Sequence, residues 1–132
     1  MDASFKNLTV LLIDDDPQQA AATRDVLKEL GCDPVAWAAN RQEAAQLAAR
    51  LSPDLFVVDA RLLGPVDGIA LGRRLWLQHR APVIFLVEQA DTSAVRQAMK
   101  VEAATSLVRP YDRTALALAI AQALKLTSGV HA

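Results

Sequence analysis

A chain of 132 residues, 52% of them hydrophobic, is long enough for one sizeable core and too apolar for disorder to be its default state. A net charge of −1 gives no electrostatic reason to expect nucleic-acid or anionic-membrane binding. Apolar runs too short to span a bilayer, no signal-peptide pattern at the start, and a lone Cys32 with no disulfide partner together predict a reduced, cytoplasmic setting.

The pattern alternates strand and helix five times. The first strand is expected over residues 8–13, a β-branched apolar run that ends in Asp14-Asp15-Asp16. Helix one follows over 17–30, with Asp16 as N-cap, Pro17 at the first helical position and Gly31 as the stop. Strand two is short, at 34–38. Helix two starts at Asn40, with Glu43 three residues on to complete a capping box, and runs to about 51. Strand three, 55–58, runs straight into Asp59, and a loop over 59–67 carries Gly64-Pro65. Helix three is expected over 68–79, strand four over 82–87, helix four over 92–101 and strand five over 105–108. Pro110 closes strand five, and helix five spans 112–126. There is no repeat, linker or low-complexity tract, so 1–132 reads as a single domain with its core at about 8–126.

This alternation implies an α/β fold: a doubly wound, five-stranded parallel sheet with helices on both faces and right-handed crossovers. Strand order 2-1-3-4-5 places strands one and three side by side at the switch point, where ligands bind beyond the carboxyl ends of the strands. Asp14, Asp15 and Asp59 then share one crevice. Crowded carboxylates repel and call for a cation, and oxygen ligands at an open site suit Mg²⁺ better than zinc or copper.

At this point the chain resembles the receiver domain of two-component response regulators, with a flavodoxin/CheY-like (βα)5 fold. The matching segments are Leu12-Ile13-Asp14-Asp15-Asp16-Pro17, Asp59 at the end of strand three, and Asp67-Gly68 at the start of helix three. Pro82-Val83-Ile84-Phe85-Leu86 matches strand four, and Arg109-Pro110-Tyr111-Asp112 matches the family's Lys-Pro-Phe-Asp segment. Each is weak alone; in this order and at these separations they are specific. The stretch from Asp59 to Gly68 is one residue longer than the commonest receiver loop and looks like an Asp-x-x-Leu-x-Gly-x-Met-Asp-Gly variant.

The resemblance implies that Asp59 is the phosphoacceptor, taking a phosphoryl group from a phosphohistidine on a histidine kinase or phosphotransfer protein. It implies Mg²⁺ held by Asp15, Asp59 and the backbone carbonyl of Arg61, with Asp14 acting through water. It also implies a homodimer or docking face along helix four, strand five and helix five. The apolar band of Leu116, Leu118, Ile120, Ala121 and Leu124 is wider than one stripe, so it can be core on one face and such a surface on the other. Phosphoryl transfer itself needs positioning and charge neutralisation more than covalent help.

The switch positions depart from the family. Val87 stands where a Thr or Ser is expected, which removes a donor to a phosphoryl oxygen worth about 1.5–3 kcal/mol. Glu88 places a negative charge beside the incoming group, and Ser106 replaces the aromatic that normally moves with the Thr. Arg109 replaces the Lys: it keeps the charge and can grip a phosphate, but is long enough to pair with Glu88 or Asp59 instead. The Arg109-Pro110 bond is left open between cis and trans.

Two functions from different classes follow. One is a phosphorylatable receiver with impaired switching; the other is a pseudo-receiver whose partner binding ignores phosphorylation. A phosphatase of the haloacid-dehalogenase type, suggested by Asp14-x-Asp16, is set aside: Gln18 stands where that family has Thr or Val, and the helix cap claims Asp16. No enzyme beyond self-phosphorylation and autodephosphorylation is expected. His79 and His131 lack partners at metal spacing, and Cys32 reads as structural. Trp76 sits beside Arg73, Arg74 and Gln78, away from Ile69, Leu71 and Leu75 assigned to the core. It is expected to lie flat over neighbouring side chains, and Trp37 is open to the same reading.

Overall fold

In β1 (Val10–Ile13) and β3 (Leu55–Asp59) every residue is buried, as expected of parallel strands covered on both faces. The computed structural model describes residues 5–62, 67–89 and 91–128. The remaining elements are α1 (Pro17–Glu29), β2 (Val35–Ala38), α2 (Arg41–Leu51), α3 (Asp67–His79), β4 (Val83–Glu88), α4 (Thr92–Ala98), β5 (Ala104–Arg109) and α5 (Arg113–Ser128). All strand pairs are parallel, in the order β2-β1-β3-β4-β5. The expected fold class and strand order therefore hold. The Gly64-Pro65 loop and His131 lie outside the described residues.

Side-chain alternation splits the core into two layers. Leu11, Ile13, Phe56, Val58, Val83 and Phe85 face one way, packed with buried residues of α2, α3 and α4. Val10, Leu12, Leu55, Val57, Ile84 and Leu86 face the other, under α1 and α5. Local chemistry sets the helix ends. The Asp16 carboxylate accepts from the N–H groups of Gln18 and Gln19, and Asn40 accepts from that of Glu43 at 2.9 Å. Glu43 reaches back to the N–H of Ala39, one residue before the cap, so the predicted box is made in a slightly shifted form. Gly31 has φ 100°, the left-handed conformation that stops α1.

Two expectations need correction. Helix four was expected to reach 101, but α4 ends at Ala98: the N–H groups of Lys100 and Val101 bond only three residues back, and Ala103 turns with φ 59° into β5. Trp76 does not lie outside the core but is only 3% exposed within it. It falls four residues after Gly72 and seven after Ile69, so it shares their face. At Gly72 an added Cβ would come within 2.4 Å of the Phe85 ring, which shows how closely α3 lies on the sheet. The Arg80 guanidinium covers the Trp76 ring, 5.0 Å from its centroid.

Candidate functional site

The crevice forms where β1 and β3 end together. Register pairs Ile13 with Val58 and Asp59 with Leu86, so Asp14 and Asp59 emerge at the same level on adjacent strands. Asp14, Asp15 and Asp59 each offer a carboxylate oxygen within 4.8 Å of the other two. The three acidic residues expected to converge do so.

Their environments differ. Asp14 is fully buried. Its Oδ1 accepts the N–H of Asp16 at 2.9 Å, and its Oδ2 accepts from Arg109 Nη2 at 3.1 Å. Burial pushes its carboxyl up to about 6, with the Asp59 and Asp15 charges adding to the rise while the Asp16 N–H and Arg109 oppose it. Asp59 is nearly buried, and its Oδ1 accepts the N–H of Arg61 at 3.1 Å. Asp15 is exposed. The opening of α3 closes on this turn: an added Cβ at Gly68 would fall 1.9 Å from the Asp59 carbonyl oxygen. Three carboxylates, one of them unfavourably charged by burial, form an oxygen-only donor set that fits a hard divalent cation such as Mg²⁺.

Arg109 is the cation these acids already have. Besides Asp14, its Nη1 lies 3.4 Å from Glu88 and 3.7 Å from Asp59. The Arg109-Pro110 peptide is cis. The possible pairing with Glu88 or Asp59 is realised with both, and Asp14 is an additional partner. Val87 is buried one residue past Asp59's partner Leu86, and Ser106 pairs with Phe85 in the ladder. Beside Arg109 opens a cleft of about 480 Å³ lined by Gln19, Thr23, Val26, Glu88 and Tyr111. The Tyr111 hydroxyl shares a 2.6 Å hydrogen bond with Thr23.

The sequence reading missed one contact. The Trp37 indole Nε1 donates to the Asp14 carbonyl oxygen at 2.7 Å. No local pattern signals that contact, because Trp37 lies 23 residues away on the edge strand.

Known proteins share the fold and the sequence pattern of this chain. The response regulator receiver domain family matches residues 10–121. The chain is 32% identical over 111 residues to an uncharacterized response regulatory protein of Vibrio cholerae, covering 83% of this chain and 42% of that protein. It is 33% identical to the C4-dicarboxylate transport transcriptional regulatory protein DctD of Pseudomonas aeruginosa, covering 89% of this chain and 25% of that one. The chain thus spans less than half the length of either relative. Among solved structures, the signal receiver domain of a modulated diguanylate cyclase from Desulfovibrio desulfuricans superposes with a TM-score of 0.80 at 29% identity, covering 93% of this chain and 98% of that one.

Proposed function

This chain belongs to the response regulator receiver domain family of two-component signalling, and from that premise we propose that Asp59 accepts a phosphoryl group from a histidine kinase or phosphotransfer protein. The convergence of Asp14, Asp15 and Asp59 carries the reading. Asp15, Asp59 and the Arg61 carbonyl would hold Mg²⁺, with Asp14 behind them. When bound, the ion neutralises charge on the transferring group. An Asp59 oxygen forms the new P–O bond as the P–N bond to the donor imidazole breaks, and the ring nitrogen keeps the electron pair. The N–H of Arg61 holds Oδ1, which leaves Oδ2 as the candidate nucleophile. Arg109, beside both Asp14 and Asp59, is placed to meet the phosphoryl oxygens in the role of the family's Lys.

The Thr–aromatic relay has no counterpart in Val87 and Ser106, so acceptance is weak and switching is impaired. A second reading, a phosphorylation-independent interaction module, is favoured by one observation: Arg109 is already shared among three carboxylates. In either reading the α4–β5–α5 face is the docking or dimer surface, and exposed Met99, Val108 and Leu118 support it. No helix among the described residues is long and apolar enough to cross a membrane. The reading itself carries a cytoplasmic setting, with neither nucleic acid nor membrane as partner.

Incubation with acetyl phosphate and Mg²⁺, followed by intact mass, tests the choice. One added phosphoryl group in the parent and none in Asp59→Ala is the expected result. No gain, with Mg²⁺ binding confirmed separately, overturns acceptance in favour of the interaction module.

A further inference from the structure

We propose that Trp37 is a positioning residue whose indole N–H fixes the backbone that carries the metal-side carboxylates; this rests on the Mg²⁺ reading above. Its Nε1 donates to the Asp14 carbonyl at 2.7 Å. That carbonyl belongs to the rigid peptide unit joining Asp14 to Asp15, so its tilt sets the direction in which Asp15 leaves the chain. Asp15 needs such support: it is exposed, and among the described residues no hydrogen bond holds its carboxylate.

The other polar groups of Asp14 are committed. Its N–H goes to the Ala38 carbonyl at 3.1 Å, Oδ1 to the N–H of Asp16, and Oδ2 to Arg109. The carbonyl is the group that remains, at a fully buried residue where an unmet acceptor is costly. Strand pairing between β1 and β2 ends at Ile13 and Ala38 and does not supply a partner for it. Trp37 pairs with Leu12 in the ladder, so only a long side chain with a donor near its end reaches the carbonyl of Asp14, two residues further along. Trp37 remains 37% exposed while its N–H is directed at the site. Filling the core therefore does not account for this residue. Partners that orient the ligands of a metal commonly change its affinity 10- to 100-fold when removed.

The test is calorimetric titration of the whole chain with MgCl₂, well below its unfolding transition, for the parent, Trp37→Phe and Trp37→Ala. Phe keeps an aromatic ring and loses the donor. It is expected to weaken Mg²⁺ binding about tenfold while the unfolding midpoint in EDTA stays near that of the parent. Parental affinity in Trp37→Phe overturns the inference, and so does weakening confined to Trp37→Ala, which would assign the effect to ring packing. Both outcomes leave the Mg²⁺ reading intact; failure of the parent itself to bind Mg²⁺ overturns both. A second measurement needs no variant. The Trp37 indole N–H resonance is expected to shift as Mg²⁺ saturates, and an unmoved resonance overturns the inference.

Discussion

The two sides of the crevice are built by different means. On the β1–β3 side, backbone N–H groups from Asp16 and Arg61 hold the carboxylates, and Trp37 holds the Asp14 carbonyl. The order there comes from strand ends and turns. On the β4–β5 side the hydroxyl and aromatic expected of a receiver are absent. Glu88 and Arg109, cross-strand neighbours in the ladder, form an ion pair that reaches over to Asp14 and Asp59. Converging carboxylates held by backbone turns and an ion pair that bridges to them from the neighbouring strands are thus two separate constructions within one crevice.

The β1–β3 side is most vulnerable at Gly68. Gly68→Ala drives a Cβ into the backbone of Asp59 and Ala60, which cannot yield as a flexible side chain can. A loss of about 3 kcal/mol in urea denaturation is expected, with weaker Mg²⁺ binding. Parental stability would mean that the turn at Asp59 yields more readily than its close packing on Gly68 implies.

Asp14 makes this side sensitive to pH. Its carboxyl is raised from 3.8 to about 6, so its favourable contribution is complete below pH 3.8 and is lost as pH rises through 6. Asp14→Asn should therefore stabilise the metal-free protein by about 3 kcal/mol at pH 8, and by less than about 1 kcal/mol at pH 4. A gain that is equal at both pH values would assign the effect to packing instead of charge.

Val87→Thr restores the missing donor on the other side. Acetyl phosphate labelling of Asp59 should rise about tenfold, the worth of one hydrogen bond to a charged group, at a cost of about 1 kcal/mol for burying a hydroxyl. Unchanged labelling would show that the missing hydroxyl is not what slows the site. Glu88→Gln should act in the same direction but less, about threefold, because Glu88 is half exposed and solvent screens it. Slower labelling in this variant would show that Glu88 aids phosphorylation by orienting Arg109.

Much of the architecture is legible in the sequence. Buried parallel strands are continuous apolar runs, and Asp16, Asn40 and Gly31 mark helix ends through local hydrogen bonding and backbone conformation. Strand order then brought Asp14, Asp15 and Asp59 together, because side-by-side parallel strands end at the same level. Helix three was read less well. The spacing Ile69, Gly72, Trp76 marks one buried face, but the neighbouring arginines suggested an exposed tryptophan, and a glycine contributes no apolar side chain to the pattern.

The α/β class, the element order and the acidic crevice thus follow from interactions between residues close in the chain or from the rule of parallel winding. Long-range packing sets the rest: Arg109 pairs with Asp14 across 95 residues, Trp37 reaches the Asp14 carbonyl, and Trp76 is buried. These depend on how closely helices and strands pack. A difference of one or two ångströms there decides whether a charge or an N–H finds its partner, and no local pattern encodes that distance.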